Sequence, residues 1–324
     1  MNTLTARDTL ERLKMLEDVH ILIHRSPDGD CVGGGYALHL ILKGLGIRSR
    51  VCCADPIPAM FDSITEGVSF EHFAPKNIVA VDVADRGLLG GLNEVYGENC
   101  TVALCIDHHV SNTGYAQELF WNPDASAACE VLYTLLHENH IPLTEQLAAC
   151  LYVGISTDTG CFKFSNAGAD TFAAVADIKR QYPNLPYARL NRELFDLKTH
   201  GRLLLDARLM EGVRMSEDGR VALIYLPYAW MEELHVTHDE TDGMANLPMQ
   251  IIGVEIGITV KQQEDGSHRI SMRAGDEGNV SAVCQQFGGG GHVKAGGCSF
   301  DASVPAEEVC GKLIAAASAS LCEC

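Results

Sequence analysis

Short apolar runs alternate with helical stretches over roughly the first 180 residues of this 324-residue chain. In the predicted strands the apolar residues mostly follow one another rather than standing at every second residue, which is typical of parallel strands buried on both faces. These strands are residues 19–24, 47–53, 77–83 and 101–106, and the predicted helices are residues 33–46, 127–137, 145–155 and 170–180. Strand–helix alternation of this kind predicts an α/β domain with right-handed crossovers.

The alternation is interrupted by two prolines, Pro183 and Pro186, and a long leucine-rich helical stretch follows. We therefore expect a parallel-sheet α/β domain over 1–185, a helical connector over 186–214 and a smaller α+β domain over 215–324. In the last part, strands are predicted at 221–225, 253–261 and 268–274, and a final helix at 305–321. Two domains are also what a chain of this length is expected to form.

The charge balance limits the partners of such a chain. It has 24 basic and 43 acidic residues and a formal net charge of −19, whereas long duplex DNA and anionic membranes require a broad basic surface. We therefore expect neither as a partner, and no apolar run approaches the length of a membrane span. The thirteen cysteines fall mostly in apolar runs and form no CxxC pair, which predicts reduced thiols in a soluble, cytoplasmic protein.

Carboxylates and imidazoles stand at the ends of four predicted elements. They are His24, Asp28 and Asp30 after the first strand, Asp82 in the third, Asp107, His108 and His109 after the fourth, and Asp158 at the end of a helix. Because the carboxyl ends of parallel strands share one edge of the sheet, where ligands bind in open α/β folds, we expect these side chains to converge there. Taken singly, each motif has a simpler explanation, since Asp-Gly-Asp is usually a turn and an isolated Asp often caps a helix.

Such a cluster requires a counter-charge. Two carboxylates about 4 Å apart repel by roughly 4 kcal/mol at an effective dielectric constant of 20, and the nearby basic residues are only Arg25 and Arg86. Mixed carboxylate and imidazole ligands suit Mn²⁺, Mg²⁺ or Fe²⁺, with Zn²⁺ also accommodated. The number of ligands exceeds what one ion needs and predicts two ions about 3.5–4 Å apart, an arrangement that recurs where a displacement at phosphorus is catalysed.

In order and spacing, these motifs resemble those of the DHH phosphoesterase superfamily. The matching stretches are His24-x-x-x-Asp28-x-Asp30, Asp82 with Asp85, Asp107-His108-His109 and Thr157-Asp158-Thr159-Gly160. A second stretch, Gly288-Gly289-Gly290-Gly291-His292 followed by Ala295 and Gly297, is similar to the signature of the DHH-associated C-terminal domain. The length of the chain without further domains resembles the NrnA-like group of oligoribonucleases and 3′-phosphoadenosine 5′-phosphate (pAp) phosphatases.

The resemblance implies two Mn²⁺ ions bridged by Asp82, with Mg²⁺ or Fe²⁺ as alternatives. The implied ligands of the first ion are His24, Asp28 and Asp82, and those of the second are Asp30, Asp82, His108 and Asp158. A hydroxide between the ions would be the nucleophile, because coordination lowers the pKa of bound water. His109 would face the scissile phosphate or the leaving group, and Asp107 would orient an imidazole through its other ring nitrogen.

The implied substrate-binding residues lie in the C-terminal part. They are Arg273, Gly288, Gly289, Gly290, Gly291 and His292. A glycine run lets the backbone adopt positive φ and approach a ligand, and its successive N–H groups can form an anion nest, although a flexible hinge is the simpler alternative. Arg273 is the best candidate for clamping a terminal phosphate or stacking on a base.

From this resemblance we expect an Mn²⁺-dependent phosphodiesterase and phosphomonoesterase whose substrates bind in a cleft between the two domains. The expected substrates are short RNA or DNA oligonucleotides, pAp and linear or cyclic dinucleotides, since a long strand would need a basic groove. The alternatives are a phosphodiesterase specific for cyclic-di-AMP or pApA, an inorganic pyrophosphatase or polyphosphatase, and a metal-binding module without turnover. Whether the protein forms a homodimer is left open.

Overall fold

The computed structural model describes residues 2–97, 100–241 and 243–322. The chain divides into two compact units, Met1–Leu197 and Lys198–Cys324. Each unit has its own β-sheet and its own hydrophobic core. Over the described ranges, no helix combines the length and the apolar character that crossing a bilayer would require.

The first unit contains five strands, eight α-helices and three single turns of other helix types over its described residues. The strands are β1 (Val19–Leu22), β2 (Ser49–Cys52), β3 (Asn77–Val81), β4 (Leu104–Asp107) and β5 (Glu118–Trp121). The helices are α1 (Ala6–Lys14), α2 (Gly29–Gly44), α3 (Asp62–Thr65), α4 (Leu92–Tyr96), α5 (Ala128–Glu138), α6 (Glu145–Asp158), α7 (Ala169–Gln181) and α8 (Tyr187–Asn191). The other turns are 3₁₀ turns at Ala59–Phe61 and Arg86–Leu89 and a π-helical turn at Arg192–Asp196.

The five strands form one parallel sheet in the order β2-β1-β3-β4-β5. The order reverses between β1 and β3, and ligands of open parallel sheets bind at the carboxyl ends of the strands beside such a reversal. Three of the segments predicted to carry metal ligands directly follow β1, β3 and β4. The structure therefore confirms the predicted α/β class, and its topology brings these segments to one edge.

Several elements of this unit differ from the prediction. The sequence analysis missed β5 and the short helices α3 and α4. It also began the second helix at residue 33, whereas α2 begins at Gly29 because the side chain of Asp28 caps it, accepting hydrogen bonds from the amides of Asp30 and Cys31 at 3.1 and 3.0 Å. Asp28 and Asp30 thus belong to a helix start rather than to a free loop.

Glycines allow α2 to pack very closely between the sheet and α6. A Cβ atom at Gly33 would lie 2.6 Å from the carbonyl oxygen of Cys150 on α6, and one at Gly34 would lie 2.7 Å from Cγ1 of Val81 on β3. Neither position has room for a methyl group, because the neighbours are a helix backbone and a buried strand side chain. The triple glycine is therefore explained by packing, and it fixes the position of the helix that carries Asp28 and Asp30.

We expect Gly33→Ala to lower the free energy of unfolding by about 1–3 kcal/mol, since the added methyl group overpacks the α2–α6 contact. Gly44→Ala is the matched control in the same helix: a Cβ there meets nothing within 4 Å, and alanine favours the helix by roughly 0.5–1 kcal/mol. Urea unfolding in the presence of a chelator measures both changes. Equal midpoints for Gly33→Ala and the unsubstituted protein would contradict the packing argument.

The second unit contains six strands and four α-helices over its described residues. The strands are β6 (Arg214–Met215), β7 (Val221–Leu226), β8 (Ile256–Gln262), β9 (His268–Ala274), β10 (Gly290–His292) and β11 (Ala295–Phe300). The helices are α9 (His200–Glu211), α10 (Tyr228–Glu233), α11 (Val280–Gln285) and α12 (Ala306–Cys322), with 3₁₀ turns at Asp239–Thr241, Met244–Asn246 and Pro248–Gln250.

These strands form a mixed sheet in the order β10-β11-β9-β8-β7-β6, in which only the β7–β8 pair is parallel. On one face, side chains such as Ile258 and Met272 pack with Leu313 of α12. On the other face, Ile224 of β7 packs with Leu205 of α9. The predicted strands over 221–225, 253–261 and 268–274 correspond to β7, β8 and β9, whereas α11 and the hairpin β10–β11 were missed.

The predicted connector over 186–214 is helical but not continuous. α8 and the π-helical turn end at Asp196, and α9 begins after Thr199, whose Oγ1 accepts a hydrogen bond from the amide of Arg202 at 3.1 Å. The boundary between the compact units, after Leu197, falls within this break. A leucine-rich periodicity alone did not reveal it, because the break itself contains a leucine.

Candidate metal centre

Asp82 lies at the centre of the cluster. It follows β3 directly, has a left-handed backbone conformation (φ 59°) and donates its amide to the carbonyl oxygen of Ile106 at 2.9 Å. Its buried carboxylate lies between three imidazoles: Oδ2 is 3.4 Å from His24 Nε2, and Oδ1 is 3.5 Å from His108 Nε2 and 3.4 Å from His109 Nδ1. Aspartate tolerates this conformation better than most residues. An aspartate therefore satisfies both requirements of this position, a left-handed backbone and a carboxylate between the imidazoles.

The segment between β1 and α2 supplies one side of the cluster. His24 Nδ1 lies 2.8 Å from the carbonyl oxygen of Arg25, which leaves Nε2 facing Asp28 Oδ1 at 3.6 Å. A nitrogen of His24, a carboxylate oxygen of Asp28 and the sulfur of Cys31 all lie within 4.8 Å of one another. Together with Asp82, His24 and Asp28 therefore form a first potential ion-binding group.

Asp30, His108 and Asp158 form the other side. Asp30 is fully buried, and its two carboxylate oxygens accept hydrogen bonds from the amides of Ala128 and Cys129 at the start of α5, at 2.6 and 2.9 Å. His108 Nε2 lies 3.9 Å from Asp30 Oδ2 and 3.3 Å from Asp158 Oδ2. Asp158 is the last residue of α6, so three different elements deliver this second group.

Asp107 has a different environment from the other predicted site carboxylates. It is fully buried, and its Oδ1 accepts hydrogen bonds from the amides of His108 and His109 at 2.8 and 3.3 Å. The same oxygen lies 2.8 Å from His109 Nδ1, and Oδ2 accepts a hydrogen bond from Asn112 Nδ2 at 2.5 Å. With its oxygens so engaged, Asp107 fixes the two histidines that follow it, and Asn112 is a supporting residue that the sequence analysis missed.

A buried network around Glu130 supports the same site and was also missed. Glu130 Oε2 accepts hydrogen bonds from the amide of Ser126 at 3.0 Å, from Ser126 Oγ at 2.5 Å and from Thr171 Oγ1 at 2.8 Å. Just before Ser126, the carbonyl oxygen of Ala125 lies 3.2 Å from His108 Nδ1. Asn166 Nδ2 donates to the carbonyl oxygens of Ser126 and Asp158 at 3.2 and 3.1 Å. The loop that contains Ala125 and Ser126 is therefore connected to His108 and, through Asn166, to Asp158. The only sequence signal was a charged residue in an apolar helix, which must find partners if it is buried.

The crowding of charges shifts the protonation of the cluster. Burial raises the pKa of Asp30 to about 7, and the negative charge of Asp82 adds to this effect. Burial and the charges of Asp30 and Asp82 raise the pKa of Asp158 to about 9. Burial lowers the pKa of His108, but the adjacent carboxylates of Asp82 and Asp30 outweigh it and raise that pKa to about 10. At neutral pH the cluster therefore retains protons that divalent cations would displace.

The donor set fits divalent ions. Asp82 Oδ1 is buried and has no hydrogen-bond partner among the described residues, a costly state that coordination to a cation would relieve. Potential ligand atoms of Asp82, His108 and His109, and those of Asp30, His108 and Asp158, each lie within 4.8 Å of one another. Carboxylates combined with imidazoles are the donors that Mn²⁺, Mg²⁺, Fe²⁺ and Zn²⁺ accept.

The predicted substrate residues lie on the sheet of the second unit. Gly290, Gly291 and His292 form the edge strand β10 rather than an open loop, and His292 pairs with Ala295, which in turn pairs with Arg273. Directly paired residues of neighbouring antiparallel strands have their side chains on one face. His292 is exposed, and Arg273 is half-buried with a guanidinium N–H donating to the carbonyl oxygen of Met272 at 3.0 Å. The side chains of Arg273 and His292 therefore share one face across β11.

Comparisons with known proteins agree with this architecture. A model described as "DHH family, N-terminal domain" matches residues 18–155, and one described as "DHHA1 domain" matches residues 219–321. The chain therefore contains a DHH domain and a DHHA1 domain, as the sequence motifs indicated. Among its curated relatives is the "Probable bifunctional oligoribonuclease and PAP phosphatase NrnA" of Streptococcus mutans, which is 24% identical over 90% of this chain and 92% of its own length.

Solved structures share the fold. An exopolyphosphatase-related protein from Bacteroides fragilis superposes with a TM-score of 0.87 at 18% identity, over 98% of this chain and 96% of its own. RecJ from Thermus thermophilus, whose structure was determined in complex with Mn²⁺, superposes with a TM-score of 0.57 at 13% identity, over 98% of this chain and 54% of its own. A protein with this fold is thus known to bind Mn²⁺.

We expect Mn²⁺ to raise the melting temperature more at pH 8 than at pH 6. In the metal-free protein, the raised pKa values of Asp158 (about 9) and His108 (about 10) keep protons on the folded state that the unfolded chain has lost by pH 8. Because the folded state then binds more protons, its free energy of unfolding falls as the pH rises, by about 4–5 kcal/mol between pH 6 and pH 8 for these two groups together. Bound ions replace these protons and remove the loss.

Thermal melts at both pH values, with a chelator and with excess Mn²⁺, measure this difference. Asp158→Asn provides the control, since it removes one of the groups that hold these protons and should reduce the pH dependence of the metal-free protein. A metal-free melting temperature that rises between pH 6 and pH 8 would contradict the assignment.

Proposed function

We propose that this protein is an Mn²⁺-dependent phosphoesterase that hydrolyses short oligoribonucleotides and pAp. The observation that carries the proposal is the convergence of three carboxylates, those of Asp28, Asp30 and Asp158, and of three imidazoles around the buried Asp82. The name of the Streptococcus mutans relative, which matches this chain over nearly its whole length, supports the choice of substrates. The net charge of −19 favours short substrates over long polyanions.

We assign the predicted roles to these residues as part of the proposal. His24, Asp28 and Asp82 would hold one ion, and Asp30, Asp82, His108 and Asp158 the other. When bound, two such ions activate water as a nucleophile and neutralise the charge of the reacting phosphate. The task of the protein is then to hold these side chains fixed, which it does through the cap of α2, the start of α5 and the loop tied to Glu130.

His109 is proposed to contact the phosphate or the leaving group. Its Nδ1 is engaged with Asp107 at 2.8 Å, so Nε2 is the ring nitrogen directed away from Asp107. The hydrogen bond to Asp107 raises the pKa of His109 above its usual value, which keeps a proton on the ring closer to neutral pH. We propose that Nε2–H donates a hydrogen bond to a phosphate oxygen or a proton to the departing oxygen.

Substrate recognition is proposed for the domain over 215–324, joined by the connector over 186–214 to the metal-binding domain over 1–185. Arg273, with its planar fork of N–H donors, suits a terminal phosphate or a base, and His292 adds a second donor on the same face of the sheet. Gly288–Gly291 complete the proposed set, and at Gly289 and Gly291 their backbone closely approaches that of β11. A cytoplasmic location stays a prediction, and whether the protein forms a homodimer stays open.

A substrate panel with purified protein and Mn²⁺ tests the proposal. It contains pAp, pApA, cyclic-di-AMP, pyrophosphate and RNA from dimers to 20-mers. We expect turnover of pAp and of the shortest RNAs, with kcat/KM falling steeply as the RNA lengthens. A preference for cyclic-di-AMP or pyrophosphate would replace the proposed substrates, and bound Mn²⁺ without turnover of any compound would indicate a binding module.

A further inference from the structure

Cys31 occupies an unusual position for a buried cysteine. It lies in the first turn of α2, is fully buried, and its thiol donates to the main-chain oxygen of Asp28 at 3.5 Å. Its sulfur, a nitrogen of His24 and a carboxylate oxygen of Asp28 lie within 4.8 Å of one another. Ligands about 2.0–2.3 Å from a tetrahedral ion are themselves roughly 3.3–3.8 Å apart, and His24 Nε2 and Asp28 Oδ1 lie 3.6 Å apart.

Other cysteines near the centre are placed differently. Cys129 follows the start of α5, and its thiol donates to the carbonyl oxygens of Asp30 and Cys150 at 3.7 and 3.8 Å. Cys53 is half-buried and donates to the carbonyl oxygen of His24 at 3.2 Å. Among the described residues, Cys31 is the only cysteine that belongs to a potential metal-binding group.

A further potential ligand atom lies beside this group. Asp82 is 98% buried, and its Oδ2 lies 3.4 Å from His24 Nε2, whereas its Oδ1, which has no hydrogen-bond partner among the described residues, faces His108 and His109 at 3.5 and 3.4 Å. The His24 nitrogen therefore lies next to an oxygen of each of two carboxylates, Asp28 and Asp82. The thiol completes a four-atom set of mixed nitrogen, oxygen and sulfur donors.

We propose that the thiolate of Cys31 is a further ligand of the ion held by His24, Asp28 and Asp82. The inference rests on the proposed metal centre and specifies its chemistry. Ion binding would replace the S–H bond by a sulfur–metal bond and release the proton to solvent. Sulfur favours Zn²⁺, Fe²⁺ or Co²⁺ over Mn²⁺, whereas the second group, of carboxylates and His108, suits Mn²⁺ or Mg²⁺. The two positions are thus chemically unequal and select different ions.

Cobalt binding tests this assignment without any enzymatic turnover. A thiolate bound to Co²⁺ gives a strong near-ultraviolet charge-transfer absorption that oxygen and nitrogen ligands do not give. We expect metal-free protein titrated with Co²⁺ to develop this absorption, Cys31→Ser to lose it, and the nearby control Cys53→Ser to retain it. A second variant, Cys31→Ala, is measured in parallel, and circular dichroism of the metal-free proteins confirms that each is folded.

The affinities provide a second readout. Removal of the sulfur is expected to weaken Zn²⁺ and Co²⁺ binding at this position at least about tenfold and to leave the affinity for Mn²⁺ nearly unchanged. Visible cobalt bands without the near-ultraviolet absorption in the unsubstituted protein would overturn the assignment of Cys31 alone. Absence of any stoichiometric cobalt or manganese binding would overturn the metal centre itself. A Cys31 variant with the full absorption would show that the sulfur is not a ligand.

Discussion

Asp82→Asn is expected to reduce kcat for pAp and short RNA by about 10³-fold or more, since electrostatic stabilisation through bound ions contributes several kcal/mol and each 1.36 kcal/mol is tenfold in rate. The substitution removes the negative charge that lies between His24, His108 and His109 at 3.4–3.5 Å. Asparagine tolerates the left-handed backbone of this position as well as aspartate does. The fold should therefore persist while metal binding is lost.

The matched control is Asp85→Asn, three residues further on. Asp85 is exposed and caps a 3₁₀ turn by accepting the amide of Gly87 at 2.7 Å, a role that asparagine performs equally well. Calorimetric titration with Mn²⁺ and steady-state kinetics should show a defect in Asp82→Asn and none in Asp85→Asn. Turnover above a tenth of the normal rate in Asp82→Asn would rule out a central role for this carboxylate.

Glu130→Ala is expected to weaken Mn²⁺ binding by about 10- to 100-fold, the usual effect of removing a residue that orients metal ligands. Without the carboxylate, the amide and hydroxyl of Ser126 and the hydroxyl of Thr171 lose their shared acceptor. The loop that contacts His108 through Ala125 is then no longer held in place. We also expect the free energy of unfolding of the metal-free protein to fall by about 2–4 kcal/mol, because buried donors are left unpaired.

Two further variants distinguish an effect on the orientation of the metal ligands from an effect on the free energy of unfolding. Glu130→Gln keeps one acceptor oxygen and should recover most of the Mn²⁺ affinity, whereas Glu138→Ala, at an exposed position of the same helix, should change neither quantity. Isothermal titration and urea unfolding measure them independently. If Glu130→Ala lowered stability without any change in Mn²⁺ affinity, the network would be structural only.

The sequence predicted the fold class well because its signal is local. Runs such as residues 21–23 and 78–81 are apolar at every position, and this continuous pattern distinguishes a strand buried on both faces from one with a solvent face. The hairpin of β10 and β11 carried no such signal: its glycines and small residues fit because of close backbone approach, as at Gly289, where a Cβ would lie 2.2 Å from the carbonyl oxygen of Gly297. That condition exists only once the strands are paired.

Part of the candidate site could also be predicted from the sequence. The positions of Asp28, Asp82 and His108 at the ends of elements are visible in the sequence, and parallel topology brings such ends together. The left-handed backbone of Asp82 and the carbonyl oxygen of Ala125 beside His108 are not visible, because no residue type encodes them. Glu130 stood in a helix predicted from its apolar residues, and its partners Ser126 and Thr171 are identified only by the packing of α5 against α7.

Asp30 connects the metal centre to two backbone amides whose signals can be measured in solution. Its oxygens accept the amide protons of Ala128 and Cys129, and an oxygen that shares its electrons with a cation becomes a weaker acceptor. The nitrogen chemical shifts and hydrogen-exchange rates of these two backbone groups should therefore track ion occupancy in solution. Two magnetic resonance signals would then report how much of the protein is loaded, in inactive variants as well as active ones and with no nucleotide present.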